Sequence, residues 1–276
     1  MNKILIFTMK RLFFIMLFLS NILSAQLVTF VYESKHKPNP DKEIFETGNY
    51  YLDVIGGQSA FRSEKERYAD SLMLKNGYWE GGPKTSFNQL YIIKNLINKS
   101  IIKSITTLSM HDLYNISIND KLNWEILPER MKIGGMECQK AIVKYGERNW
   151  IAWFSQSIPL LEGPYIFNGL PGLIIKISDD KNDYDFSLIK TINVDKNKTF
   201  YLRKGKEISW ETYEKIQQDY YSDPFAEIKA RNIKYKVTDE KGNPVEMNLK
   251  QMTESIQKQI KENNNPIELN HKVNYN

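Results

Sequence analysis

Alternating apolar and polar positions dominate the first two thirds of the chain. Large apolar side chains recur at every second position from Val28 to Tyr32, which predicts an opening strand. Residues 50–55 and 59–61 flank two consecutive glycines, a pattern typical of a hairpin. Between residues 90 and 118, Asn, Lys and Asp interrupt apolar and β-branched residues, so we expect a meander of three short strands.

A short helix is predicted directly after the first hairpin. Ser63 and Glu66 have the spacing of a capping box, and Tyr68 and Leu72 would form the inner face of the helix. The helix should end before the next glycine, and residues 78–88, with their Gly-Gly-Pro, predict a loop.

Three further extended segments follow. Residues 124–128 predict a strand near a sheet edge, because Pro128 has no N–H for the ladder. Gly134 and Gly135 open a hairpin whose return strand we expect to be buried on both faces. Residues 183–188 alternate and predict a strand with one solvated face. The return strand carries Arg148, Trp150, Ala152 and Phe154 on one face and Ile151 and Trp153 on the other.

The pattern becomes helical after residue 202. Tyr213, Ile216 and Tyr220 recur at helical spacing until Asp223-Pro224 ends the run. A second helical run follows at Leu249, Met252, Ile256 and Ile260.

These elements predict an α+β fold, mainly an antiparallel curved sheet or open β-barrel with two or three covering helices. We expect a single domain over residues 26–276, which is β-rich over 26–202 and contains helices over 203–276.

The N-terminus has the layout of a secretory signal. Lys3, Lys10 and Arg11 precede the apolar residues 12–19, and small residues end the segment at Ala25. We expect residues 1–25 to be a signal peptide, with an uncleaved anchor as the alternative and either Met1 or Met9 as the start. The mature chain would be periplasmic, associated with the outer membrane or secreted, and no transmembrane segment would remain after cleavage.

Charge and ligand-type residues narrow the function classes. Without residues 1–25 the chain has 35 basic and 33 acidic residues, so its charge does not indicate a nucleic-acid partner. Cys138 is the only cysteine, which excludes an intramolecular disulfide. His36, His111 and His271 lack metal-site spacing, and we expect neither a metal nor a cofactor.

Residues 138–180 carry a resemblance to a known family. The motif Gly169-Leu170-Pro171-Gly172-Leu173-Ile174 is preceded, in order, by Cys138-Gln139-Lys140-Ala141, Gly146, Arg148, Trp150-Ile151-Ala152-Trp153-Phe154, Ile158-Pro159 and Gly163-Pro164-Tyr165. This block resembles the GLPGLI family, secreted proteins of Bacteroidetes-type bacteria whose biochemical role is undefined. The resemblance therefore implies export and no particular activity. One departure is Glu147, which separates the turn glycine from Arg148 and affects where the arginine points.

The motif has two interpretations. Its glycines and prolines suit a corner in a curved sheet that leads into a buried strand. Alternatively, the loop lies against a ligand pocket with aromatic walls. Arg148 and Glu162 would either pair with each other or contact that ligand. Cys138 is expected to pack as a small apolar residue, and Lys140 to lie on a solvated face. The candidate binding residues are Arg148, Trp150, Trp153, Glu162, Tyr165 and Phe167.

Catalytic motifs are absent from the sequence, which contains no nucleophile elbow, zinc-binding His-Glu-x-x-His or phosphate-binding glycine loop. The adjacent Asp179 and Asp180 would point to opposite sides of a strand, and a solvated turn explains them better than a carboxylate pair. We therefore expect a non-enzymatic cell-envelope protein that binds a hydrophobic or peptide-like ligand, or a protein partner, in its concave face. The alternatives are a hydrolase whose site is assembled only in the fold and a structural accessory of an outer-membrane complex.

Overall fold

The computed structural model describes residues 27–77, 86–109, 111–193, 201–232, 237–238, 244–245 and 248–275. The predicted signal peptide and residues 78–85 of the predicted loop lie outside this part of the chain.

Among the described residues, twelve strands form one large sheet, and two short strands pair separately. The strands are β1 Leu27–His36, β2 Glu46–Ile55, β3 Gln58–Ser63, β4 Ile92–Asn95, β5 Ser100–Thr106, β6 Leu113–Ile118, β7 Glu125–Ile133, β8 Met136–Tyr145, β9 Arg148–Ser155, β10 Leu173–Asp179, β11 Tyr184–Asn193, β12 Lys206–Glu207, β13 Val237–Thr238 and β14 Pro244–Val245. The helices are α1 Glu64–Asn76, α2 Trp210–Ser222, α3 Ala226–Ala230 and α4 Leu249–Glu262, followed by a 3-10 turn at Leu269–His271.

The large sheet is open and mostly antiparallel. Its order is β12-β6-β5-β4-β3-β2-β1-β11-β10-β9-β8-β7, and of the pairs between these described strands only the short β12–β6 pair is parallel. The predicted fold class is therefore confirmed, with α3 as a five-residue addition to the expected helices. Both predicted hairpins, the three-strand meander and the edge position of residues 125–128 are present.

The sheet is strongly curved. Strands β5 and β8 stand eight places apart, which on a flat sheet is roughly 38 Å at about 4.8 Å per strand. Yet Lys103 of β5 and Tyr145 of β8 both bind the carboxylate of Glu268, at 2.9 and 2.8 Å. The two sides of the sheet must therefore bend toward each other around an inner face.

The loop between β9 and β10 fills this inner face. Tyr165, Ile166 and Phe167 of the loop are fully buried. The ring centre of Phe167 lies 4.6 Å from that of Trp150 in β9, and Tyr32 of β1 donates a hydrogen bond of 2.6 Å to the carbonyl of Ile174. The loop is thus part of the core.

The expectation that β9 is buried on both faces is only half right. Arg148, Trp150, Ala152 and Phe154 face the core and are almost fully buried. Ile151 and Trp153 on the outer face are half-buried. In the described part of the chain, α1 contacts the sheet at β2 and β3, several strands away from β9.

Helix α1 begins as predicted but turns a different side to the sheet. Ser63 caps it, because its side chain accepts from the Glu66 N–H and its own N–H donates to the Glu66 carboxylate. Tyr68, predicted to face inward, is 63% exposed. The buried positions are instead Glu66, Ala69 and Asp70, since the sheet beneath them carries Arg62.

The two longer C-terminal helices are present, but their buried positions match the predicted apolar spacing only in part. Helix α2 buries Tyr213, Gln217 and Tyr221 rather than Ile216 and Tyr220, and it ends at Ser222, directly before Asp223-Pro224. In α4, Ile260 is buried and Met252 is 38% exposed.

Candidate functional site

The glycine motif forms a tight turn into β10. A Cβ on Gly172 would lie 2.2 Å from the carbonyl oxygen of Ser155, so the end of β9 leaves no room for a side chain there. Gly169 has a φ of +92°, which favours glycine. Leu170, Leu173 and Ile174 are buried, and Pro171 is exposed. These contacts support the structural interpretation of the motif.

Glu162, in the loop between β9 and β10, pairs with Lys94 of the distant strand β4. Its carboxylate lies 2.5 Å from Nζ of Lys94, and both side chains are 1% exposed. Ser59 donates to the same carboxylate at 2.9 Å, and Lys94 also donates to the carbonyl of Gly163 at 2.9 Å. Burial lowers the pKa of Lys94, while the charge of Glu162 opposes this shift. The pair fixes the loop to β4.

Arg148 forms its ion pairs with two aspartates, so the expected pair with Glu162 does not form. Its Nη1 lies 2.8 Å from Asp179 and 2.9 Å from Asp183. Its other nitrogens donate to the side chain of Asn265 and to the carbonyls of residues 266 and 267. Burial raises the pKa of Asp179. Arg148 therefore ties β9 to the C-terminal segment.

The adjacent acids at the end of β10 do point to opposite sides. Asp179 is buried against Arg148, and Asp180 is exposed and accepts a hydrogen bond from Asn149. The solvated-turn interpretation thus holds for Asp180 alone. Cys138 is buried as expected, and burial raises the pKa of its thiol.

The candidate binding residues divide between the two faces of the sheet. Trp150, Tyr165 and Phe167 are completely buried, and Arg148 and Glu162 are at most 3% exposed. These five side chains contact other parts of the same chain. Trp153 alone lies on the outer face.

Trp153 is the centre of a surface that we call the outer patch. Lys140 of β8 and Lys176 of β10 lie directly opposite Trp153 on its two neighbouring strands. Lys176 binds Asp185 at 2.9 Å, and Lys140 lies 3.5 Å from Glu129. All members are half-buried: Lys140, Ile142, Ile151, Trp153, Lys176 and Ser178.

A cleft lies at the start of α2. It contains a cavity of about 20 Å³. The Nδ1 atom of His271 lies 2.7 Å from the carboxylate of Glu214, and its ring stacks on Trp210 at 4.2 Å. Sequence patterns do not predict this pair, because 57 residues separate its members. The lining residues are Phe87, Asn88, Leu90, Lys103, Tyr184, Trp210, Tyr213, Gln217, Pro266, Ile267, Glu268 and His271.

A buried charged cluster forms the floor of the cleft. Lys103 donates to Glu268 at 2.9 Å and to the hydroxyl of Tyr165 at 2.7 Å. The hydroxyls of Tyr145 and Tyr165 both donate to Glu268. Burial raises the pKa of Glu268, but Lys103 and the two hydroxyls outweigh it, and the pKa of Glu268 is lowered. Glu268 therefore remains a carboxylate at neutral pH.

Neither a metal centre nor a membrane span is found among the described residues. No three His, Cys, Asp or Glu side chains come together in a group that could hold a metal ion. No helix in this part of the chain has both the length and the apolar character needed to cross a membrane.

Comparisons with known proteins reach only part of the chain. Two crystal structures of PNGF-II are 16% and 15% identical to it, with TM-scores of 0.48 and 0.49. Each alignment covers 70% of this chain, which spans about a third of PNGF-II (33% and 32%). No curated protein matches the sequence. Residues 144–176, which include the glycine motif, match the model of a family described as a protein of unknown function (Porph_ging).

Proposed function

We propose that this chain is an exported protein that binds a protein partner on the outer patch. The observation that carries the proposal is the position of Trp153. It is partly exposed and lies between two lysines on the outer face, whereas the aromatic residues of the inner face are enclosed by the protein itself. Tryptophan is enriched among residues that dominate binding energy at protein interfaces.

The inner face argues against a bound hydrophobic ligand. The loop between β9 and β10 occupies the space that a carrier protein would leave open. The cavity beside it has a volume of about 20 Å³. That volume accommodates about one water molecule, whereas drug-sized ligands occupy pockets of about 300 Å³ or more.

The composition of the outer patch indicates which side chains a complementary partner would place against it. Trp153 and two isoleucines offer apolar surface at the centre, and Lys140 and Lys176 flank it. A complementary partner would place an apolar side chain on Trp153 and carboxylates beside the lysines. Its acids would compete with Glu129 and Asp185 for these lysines.

Site-specific photo-crosslinking in the cell envelope tests the proposal. A crosslinking amino acid at position 151 should capture one defined protein, and the product should disappear with Trp153→Ala and weaken with Lys140→Glu. Position 252, an exposed site on α4, is the control. If positions 151 and 252 give the same products, or Trp153→Ala changes nothing, partner binding at this patch is wrong.

Export has its own test. N-terminal sequencing of the protein recovered from the envelope should find Gln26 first. Recovery of the intact chain from the cytoplasm, starting at Met1 or Met9, would contradict export and leave the crosslinking result to be judged alone.

A further inference from the structure

The cleft at the start of α2 brings together ionisable side chains that no sequence motif predicts. His271 and Glu214 form a hydrogen-bonded pair, and the ring of His271 is held parallel to that of Trp210, with only 2° between the planes. Glu214 and Trp210 belong to the first turns of α2, so a rigid element orients the imidazole. With Nδ1 facing the carboxylate, Nε2 is left to accept a proton.

Lys103 supplies a second functional group to the same cavity. An ammonium group has three N–H donors. Among the described residues, two acceptors bind the Lys103 ammonium, Glu268 and the hydroxyl of Tyr165. Lys103 is 4% exposed and lines the cavity. Its Nζ also lies 5.5 Å from the ring centre of Trp210, which lines the same cavity, so the third N–H is the donor that Lys103 can offer to an acceptor there.

The cavity suits one water molecule or one carbonyl oxygen. Its volume of about 20 Å³ exceeds the 10–15 Å³ or so that a water needs. The mouth is not closed, since His271 and Glu214 retain 25% and 37% of their side-chain exposure. A compound can thus reach the imidazole from solvent while its smallest group enters the cavity.

We infer that this cleft is a hydrolytic site for small acyl esters or amides, independent of the outer patch. The carbonyl oxygen occupies the cavity, and at its open mouth His271 takes a proton from a solvent water as the oxygen of that water bonds to the carbonyl carbon. The Lys103 N–H binds the oxygen that becomes negative. When the bond between carbon and the leaving group breaks, His271 returns the proton to the departing oxygen or nitrogen. Water is the only co-reactant, and the products are an acid and an alcohol or amine.

The lining also sets a preference among acyl compounds. The carboxylates of Glu214 and Glu268 lie at the cleft, and the ammonium of Lys103 pairs with Glu268. A neutral substrate should therefore be favoured over an anionic one.

Ester hydrolysis by the full-length mature protein tests this inference. The probes are p-nitrophenyl acetate and p-nitrophenyl benzoate, followed by release of nitrophenolate. His271→Gln keeps a side chain that can bond to Glu214 but cannot carry the proton, and should lower the rate at least tenfold. His111→Asn is the matched control, because it removes a histidine outside the cleft at a positive φ that asparagine tolerates.

A second substitution separates proton transfer from a structural role. Glu214→Gln keeps a partner for Nδ1 and leaves the imidazole able to carry the proton, so it should lower the rate less than His271→Gln does. Thermal melts of each variant confirm that the fold is kept. The inference is overturned if the wild type is no faster than buffer with either ester, or if His271→Gln folds and hydrolyses both as fast as wild type.

Discussion

Replacing Gly172 with alanine tests whether the glycine motif is fixed by a backbone contact. The added Cβ would lie 2.2 Å from the carbonyl oxygen of Ser155, 2.6 Å from its carbonyl carbon and 2.9 Å from the nitrogen of Gln156. All three are backbone atoms, so no side-chain rotation can relieve the contact. The end of β9 or the start of β10 must move, which disturbs the pairing of Ser155 with Leu173.

Gly169 provides the matched control within the same motif. Its φ of +92° strains any residue with a Cβ, but no atom lies within 4 Å of the added carbon. Gly169→Ala should therefore cost only the conformational strain, about 1–2 kcal/mol. Gly172→Ala adds an overpacking cost of about 1–3 kcal/mol to a similar strain. The expected total of about 2–5 kcal/mol is a large share of the stability of a typical domain.

Urea unfolding followed by circular dichroism measures these differences. Wild type, Gly169→Ala and Gly172→Ala should lose stability in that order, with an unchanged dependence on urea for the two variants that fold. If Gly172→Ala is as stable as Gly169→Ala, the contact with Ser155 does not explain the glycine, and the structural interpretation of the motif is refuted.

Three further predictions concern stability. Trp150→Ala should lower the free energy of unfolding by about 3–5 kcal/mol. Trp153→Ala should lower it by less, because this residue is only partly buried; calorimetry that ranks the two variants equally would contradict the assigned faces of β9. Arg148→Met leaves two buried aspartates without their cationic partner and should lower the free energy of unfolding in urea at pH 7 by about 3–5 kcal/mol. A loss of less than about 1 kcal/mol, which is the size expected for an exposed ion pair, would contradict the burial of these groups. The pKa of Glu268 is lowered from the ordinary glutamate value of 4.5. The ionised carboxylate therefore stabilises the fold fully above that pH, and this contribution is lost as the pH falls through the folded pKa of Glu268. Glu268→Gln should therefore have a lower Tm than wild type at pH 7 and a smaller fall in Tm between pH 5 and pH 3; equal pH dependence would contradict the role of Lys103.

Local features of the fold could be predicted because neighbouring residues determine them. The capping box of α1 depends on two side chains three residues apart, and the hairpins depend on consecutive glycines. The inner side of α1 could not be predicted, because apolar spacing pointed to Tyr68. The position that contacts the sheet is Asp70, which binds Arg203 from a segment 133 residues later.

The pairing of charges is also hidden in the sequence. Arg148 and Glu162 are only 14 positions apart and seemed natural partners, yet β9 carries the arginine to one side of the core and the loop carries the glutamate to the other. Their actual partners come from β10 and β4. Glu214 of α2 and His271 of the C-terminal turn are likewise brought together only by the fold, because they are 57 residues apart in sequence.

The carboxylate of Glu268 has a consequence for the order of folding. It joins β5 to β8 across 165 and 123 residues of sequence, and Arg148 holds the same segment across 117. These residues leave the ribosome after every strand of the large sheet. Contacts over such long separations form slowly, since the entropy of closing the intervening chain must first be overcome. We therefore expect the sheet to reach its final curvature only after this C-terminal segment has been synthesised.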